Sequence, residues 1–372
     1  MKGNPPRILL INPFGIGDVL YSTPLVGALR GTYPDAFIAY VANRRASDVL
    51  RHNANVNKIF IYEKDEYGDL WKTSKIRCVK TFSHFLRQLK KENFTAAIDM
   101  SLSDKFGLVI MGLGIGKRVG FHYKKRGRFL TQKVDVPDGF AHKHIAEYYL
   151  DLGRSFGIKE DRVTPSEFPV SEPAYKAARE LFERKGLRAG GIIVGIVPGG
   201  GDSWGASAVR KRWPVDKFAE LAGGLIDEFE ARIVLFGAAS ERQLCEKTEK
   251  AIKGGCANLA GETSLEEFAA CISRCSLIVS NDGGPFHIAV SQNARTVGIF
   301  GPADPGIYGP YPARNTVRVI SKDIPCRPCY KNFRLPSCDM HFECVTSIGV
   351  DEVCHACKEL LQGHSCTKNA TP

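Results

Sequence analysis

Short apolar runs closed by glycine or a polar turn, each followed by a longer amphipathic stretch, recur from end to end of this chain. The first, residues 7–12 (RILLIN), is apolar without alternation, as expected of a strand buried on both faces. It runs into Pro13-Phe14-Gly15-Ile16-Gly17, and a helix is expected from there to about Arg30. Further strands are predicted over residues 36–42, 58–62 and 95–99, with an amphipathic helix over 82–91. Strands alternating with helices imply parallel βα units.

A polar, proline-containing stretch over residues 160–173 then reads as a linker. Beyond it the alternation restarts. Strands are predicted over 192–197, 232–236, 277–280 and 296–300, and helices over 214–229 and 241–252. Ser264-Leu265-Glu266-Glu267 reads as a capping box that opens a helix to Cys275. The expected organisation is therefore an α/β domain over 1–165, a second over 166–325, and a Cys-rich C-terminal segment with a terminal helix over 326–372. A length of 372 residues suits two cores, since one core rarely grows past about 250–300 residues. In open sheets of this kind ligands sit beyond the carboxyl ends of the strands.

Charge sharpens that picture. Of the net +11, the whole excess falls in residues 1–165, with 27 basic against 16 acidic side chains, whereas residues 166–372 hold 24 of each. A domain of one sign favours anionic partners. The densest basic groups are Lys117-Arg118 and Lys124-Lys125-Arg126-Gly127-Arg128. The longest apolar stretch, residues 107–116, contains four glycines and is about half the roughly 20 residues that a membrane-spanning helix needs. With no long apolar leader at the N-terminus, the expectation is a cytoplasmic protein. Seven of the twelve cysteines fall in the last 47 residues, and in a reducing compartment they read first as thiols or a metal site.

Three segments carry candidate chemistry. Gly15-Ile16-Gly17-Asp18 lacks the third glycine of a dinucleotide fingerprint, because position 20 is Leu. Asp18 fits either a helix cap or a general base. Pro198-Gly199-Gly200-Gly201-Asp202-Ser203-Trp204 reads as a mobile loop leading to Arg210-Lys211-Arg212-Trp213-Pro214, where backbone N–H groups and a lysine could hold a diphosphate. In Asn281-Asp282-Gly283-Gly284-Pro285-Phe286-His287 a strand ends, glycines permit close approach and Pro285 opens a helix whose free N–H groups suit an anion.

Together N-P-F-G-I-G-D, K-R-W-P, L-A-G-E-T-S-L-E-E, S-N-D-G-G-P-F-H-I-A-V and F-G-P-A-D-P resemble glycosyltransferase family 9, the ADP-heptose:lipopolysaccharide heptosyltransferases, to about residue 350. The resemblance implies a GT-B fold, two Rossmann-like domains facing across a crevice, with the acceptor in the N-terminal one and the nucleotide sugar in the C-terminal one. It implies inverting transfer with no cofactor or catalytic metal. Asp18 then takes the position of the catalytic base and Lys211 that of the lysine on the donor phosphate. Glu241 falls where a family carboxylate binds the ribose, and Thr263 falls near the base. Asp282, Gly283, Gly284 and His287 fall on the diphosphate and sugar segment. The loop over 199–210 is longer than the family pattern, which leaves its phosphate-contacting hydroxyls unassigned, with Ser207 the nearest guess.

The implied partners are ADP-heptose and an anionic glycolipid acceptor, lipid A–Kdo or a core heptose, met by peripheral contact at the cytoplasmic face of the inner membrane. No nucleic acid is expected. The basic cluster Lys124, Lys125, Arg126 and Arg128 is the candidate acceptor contact. Cys326-x-x-Cys329 with Cys338 and Cys344 suggests Zn²⁺ or an iron–sulfur centre, but the gaps are looser than a zinc ribbon's and Cys354-x-x-Cys357 offers competing ligands. Whether they hold metal stays open at this level. So do two alternatives: a family member using another nucleotide sugar or acceptor, and a non-catalytic protein that binds nucleotide or nucleic acid.

Overall fold

The computed structural model describes residues 4–159, 164–187, 190–201 and 205–362, with side chains from residue 208 onward in the last stretch. Asp202, Ser203, Trp204, Cys366 and the Ser207 hydroxyl lie outside what is described. The chain forms two compact units, Met1–Glu167 and Phe168–Pro372.

In the first unit, β1 (Arg7–Ile11), β2 (Phe37–Ala42), β3 (Lys58–Ile61), β4 (Ala96–Asp99), β5 (Lys117–His122) and β6 (Gln132–Asp135) form one sheet in the order β3-β2-β1-β4-β5-β6. Every pairing is parallel. In the second, β7 (Ile193–Val197), β8 (Arg232–Leu235), β9 (Ala257–Asn258), β10 (Leu277–Asn281), β11 (Thr296–Phe300) and β12 (Val317–Ser321) repeat the plan as β12-β11-β10-β7-β8-β9, again all parallel. Both sheets thus have the doubly wound Rossmann order, which reverses between β1 and β4 and between β7 and β10.

The expected strands appear as β1–β4, β7, β8, β10 and β11. The sheets also contain β5, β6, β9 and β12, which the pattern had not marked. Lys117-Arg118 and Gln132-Lys133 put polar side chains into β5 and β6, and β9 is only two residues long, so none of these makes an apolar run. The helix read over 82–91 is the C-terminal part of Lys75–Lys91, which starts where Ser74 Oγ accepts from Arg77 N–H. Of the expected linker, residues 160–163 lie outside the described residues, 164–171 lack regular structure, and the helix Glu172–Arg184 begins inside the span.

The second core joins Val194, Ile196, Leu235, Val279 and Ile299 of the sheet to Trp213, Phe218 and Leu225. Val353, Cys357 and Leu360 of the terminal helix Val350–Gln362 complete it. Trp213 Nε1 donates to the Ile348 carbonyl at 3.0 Å, so the Cys-rich segment is built into this core.

Candidate active site

In the second unit the sheet reverses between β7 and β10, and the two strands release their chains side by side into glycine-rich turns. Asn281, the last residue of β10, is fully buried and ties the turns together: its Nδ2 donates to the Pro198 carbonyl at 2.8 Å and its Oδ1 accepts from Trp213 N–H at 3.0 Å. The packing leaves no room for side chains. A Cβ on Gly283 would lie 1.8 Å from the Gly200 carbonyl, and one on Gly199 would lie 2.0 Å from Glu241 Oε1.

Lys211 ends the 3₁₀ turn Gly205–Lys211, and its Nζ donates to Asp282 Oδ2 at 2.7 Å with both groups buried. His287, in the first turn of helix Gly284–Ser291, places Nε2 3.8 Å from the other Asp282 oxygen. Burial alone would raise the Asp282 carboxyl, but the adjacent Lys211 ammonium, then His287, hold it at about 2. Burial pushes the His287 imidazole below its ordinary range, against the pull of Asp282. The result is a fixed ion pair beneath the N-terminus of an eight-residue helix, where backbone N–H groups favour an anion.

Tyr330, which the sequence reading passed over, belongs here too. Its buried ring lies 4.7 Å from Lys211 Nζ and packs against Tyr308, and its N–H donates to the Pro302 carbonyl. No sequence signal marks it, since a tyrosine beside cysteines forms no motif of its own.

Glu241 is buried below the glycine loop. Its Oε1 accepts from Gly201 N–H at 3.1 Å and Arg212 Nη2 at 3.4 Å, while Oε2 accepts from Ala238 N–H at 3.0 Å. Arg212 Nε reaches the Gly199 carbonyl at 3.0 Å. These carboxylate oxygens hold the loop in place. Thr263 is half-buried just before the Ser264–Glu267 capping box, in a segment whose Gly261 N–H bonds the Gly237 carbonyl beyond β8.

In the first unit the reversal falls between β1 and β4, at the turn that ends in Asp18. Gly15 caps helix Ile16–Thr32 with φ −69°, open to any residue, so the turn does not draw on glycine's left-handed freedom. Asp18 is the third residue of that helix rather than its cap, and its Oδ2 accepts from Gly15 N–H at 3.2 Å. Asn12 Nδ2 donates to the Asp18 carbonyl at 3.0 Å, and Tyr40 and Ser22 hydroxyls meet at 2.6 Å in the core behind it. Asp99 ends β4 beside Ile11 of β1. It is buried, its Oδ1 accepts from Ser101 N–H, and burial pushes its carboxyl up to about 6.

The basic cluster forms the β5–β6 connection and leaves the same carboxyl edge as Asp18. Lys124, Lys125 and Arg128 are exposed, while Arg126 Nη1 donates to the Leu102 carbonyl at 3.2 Å. Asp104 anchors the loop by accepting from Gly127 N–H at 2.6 Å and pairing with Arg128 at 3.3 Å.

Among the described residues no three His, Cys, Asp or Glu side chains stand in a metal-binding arrangement. Cys344 and Cys357 are buried in the second core and Cys354 packs against it. Burial pushes the Cys344 thiol up to about 11, with Cys329, Cys326 and Cys338 near enough to add to the rise.

The description "Glycosyltransferase family 9 (heptosyltransferase)" matches residues 82–336. Lipopolysaccharide heptosyltransferase 2 of Escherichia coli strain K12 is 30% identical over 82% of this chain and 85% of its own. Lipooligosaccharide heptosyltransferase 2 of Campylobacter jejuni serotype O:6 is 30% identical over 95% of this chain and 99% of its own. Among solved structures, E. coli ADP-heptose lps heptosyltransferase II superposes with a TM-score of 0.74 at 26% identity, covering 96% of this chain and 99% of that one. A family 9 glycosyl transferase from Veillonella parvula gives 0.77 at 20% identity, covering 98% and 99%.

Proposed function

This chain belongs to glycosyltransferase family 9, and from that premise we propose that it transfers a heptose, with inversion, from ADP-heptose to an anionic inner-core glycolipid, lipid A–Kdo or a core heptose. The observation that carries the reading is the buried Lys211–Asp282 pair below a helix N-terminus at the switch point of the second sheet. The heptosyltransferase names of relatives 30% identical over most of the chain support the choice of donor sugar.

In this mechanism Asp18 removes the proton from the acceptor hydroxyl, whose oxygen attacks the anomeric carbon as the bond to the diphosphate breaks. One displacement from the opposite face inverts that carbon. Charge then accumulates on departing ADP. Lys211 and the N–H groups of helix Gly284–Ser291 neutralise it, which assigns them the work a divalent cation would otherwise do. Asp282 repels a diphosphate, so its part is to aim Lys211, with His287 beside it. Gly283 and Gly284 bring backbone close to the phosphates, and Thr263 lines the base. Glu241 acts by shaping the Gly199–Gly201 loop.

The acceptor side rests on the first unit. Lys124, Lys125 and Arg128 present positive charge from the same sheet edge as Asp18, which suits a phosphorylated, Kdo-bearing lipid. No described helix is long and apolar enough to cross a membrane. The reading therefore has the protein working by peripheral contact at the cytoplasmic face of the inner membrane.

Calorimetric titration with ADP-heptose, and with GDP- and UDP-sugars as controls, tests the donor assignment. Saturable binding of ADP-heptose that weakens in Lys211→Ala is expected. Tighter binding of a GDP- or UDP-sugar would instead favour a family member with another donor.

A further inference from the structure

Five of the seven large apolar side chains exposed among the described residues lie in one helical layer on one face of the first sheet: Trp71, Ile76, Val79, Leu108 and Met111. Trp71, Ile76 and Val79 are 54%, 73% and 55% exposed within nine residues of one another. The core does not account for them. Helix Lys75–Lys91 buries Cys78, Phe85 and Leu89, and at 100° per residue Ile76 lies about 160° and Val79 about 100° from that face, both turned away from the core.

Helix Lys75–Lys91 is strongly basic, with six Lys or Arg and no Asp or Glu. Helix Lys64–Thr73 is not: it carries Asp65, Glu66 and Asp69 against Lys64 and Lys72, with Glu66 paired to Arg44 at 3.3 Å, and only its last turn, with Trp71 and Lys72, continues the basic face. Lys72, Lys75, Arg77 and Lys80 are exposed among the apolar side chains, and Lys75 Nζ lies 5.7 Å from the Trp71 ring centre. Asp69 pairs with Lys72 at 3.1 Å. Protein–protein interfaces are depleted in lysine, whereas apolar groups and tryptophan interleaved with basic residues suit an anionic lipid surface, the rings at headgroup depth and the cations on phosphate.

Topology points this face in a useful direction. Helix Lys75–Lys91 returns antiparallel to the strands between β3 and β4, so its N-terminal end, with Ile76 and Val79, lies toward the carboxyl edge of the sheet. The Asp18 turn and the Lys124–Arg128 loop leave that same edge.

We propose that the outward face of helix Lys75–Lys91, with the last turn of helix Lys64–Thr73, docks on an anionic phospholipid surface, inserting Trp71, Ile76 and Val79 and pairing Lys72, Lys75, Arg77 and Lys80 with lipid phosphates. This rests on the reading that the acceptor is a membrane glycolipid. It assigns the membrane contact to a face distinct from the acceptor loop.

Flotation of the full chain with vesicles that contain no lipid A tests it. The protein is expected to float with phosphatidylcholine–phosphatidylglycerol vesicles and to stay behind with phosphatidylcholine alone. Neutralising Lys72, Lys75, Arg77 and Lys80 to Gln should lower partition by about fivefold per residue removed. The variant Trp71→Ser/Ile76→Ser/Val79→Ser should lower it by about tenfold or more while retaining wild-type transfer to a soluble, delipidated acceptor. Equal partition of wild type and both variants would overturn the proposal. So would a concentration-dependent dimer that the triple variant abolishes, since the face would then serve a second copy of the chain. A wild type that floats but transfers no heptose to any acceptor supports the docking face and removes the transferase reading instead.

Discussion

Lys211 and Asp282, 71 residues apart in sequence, meet as a buried ion pair at 2.7 Å where the second sheet reverses direction. Burying two charges is costly, and removing one partner leaves the other uncompensated. Lys211→Met should therefore lose about 3–5 kcal/mol at pH 7, and Lys211→Met/Asp282→Asn should recover much of it. The pH dependence has a fixed sign. Asp282 is held at about 2 against an ordinary 3.8, so the pair's contribution is present above the ordinary value and is lost as pH falls toward 2. In Lys211→Met burial raises the unpaired Asp282 carboxyl, so in urea denaturation at a series of pH values the gap between wild type and variant should begin to narrow above the ordinary value and go on narrowing as pH falls toward 2. A gap independent of pH would show that the ion pair does not stabilise the fold.

Asp99 should behave in the opposite sense. Its carboxyl is raised to about 6, so the neutral form favours the fold, and stability is fully present below 3.8 and lost as pH rises through 6. Asp99→Asn keeps an acceptor for Ser101 N–H. It should stabilise the protein at pH 8 by about 2–3 kcal/mol and change little at pH 4. Thermal denaturation at both values checks this, and destabilisation at pH 8 would contradict it.

Tyr330 gives a test of the donor site that does not touch a charged group. Its ring lies against Lys211, a contact of about 0.5–2 kcal/mol, so Tyr330→Leu, by loosening Lys211, should raise donor KM by at most about thirtyfold. Tyr330→Phe keeps the ring and should stay near wild type. If both substitutions raise donor KM equally, the hydroxyl matters and the ring face does not.

The basic loop should act on the acceptor alone. Neutralising Lys124, Lys125 and Arg128 should raise acceptor KM and leave donor KM unchanged. Exposed charges are screened beyond about 10 Å at 0.1 M salt, so wild-type acceptor KM should climb with NaCl, and that of the variant less steeply. Identical salt slopes in steady-state kinetics would reduce the loop to a solvated surface.

The central strands were legible because β1, β7 and β10 are buried on both faces and so read as unbroken apolar runs. The outer strands were not, since β5 and β6 carry Lys117, Arg118 and Lys133 and β9 is too short to make a pattern. The order of segments along the chain pointed to Lys211, Asp282 and His287, but sequence spacing could not show that they converge on one buried carboxylate. The resemblance gave Glu241 a ribose contact, and spacing alone could not show that its oxygens also bond Gly201, Ala238 and Arg212. Asp99 and Tyr330 escaped notice because a single Asp at a strand end and a Tyr beside cysteines carry no pattern of their own. Their surroundings come entirely from the tertiary fold.

The most direct test of the central claim is mass spectrometry of a lipid A–Kdo acceptor incubated with ADP-heptose and the protein in excess EDTA. Addition of one heptose with release of an equal amount of ADP is expected. Asp18→Asn should slow that transfer by about 10²- to 10⁴-fold while still binding ADP-heptose. Absence of product with this acceptor and also with its heptose-extended form, transfer by Asp18→Asn at the wild-type rate, or activity that returns only with added Mg²⁺ or Mn²⁺ would contradict the account.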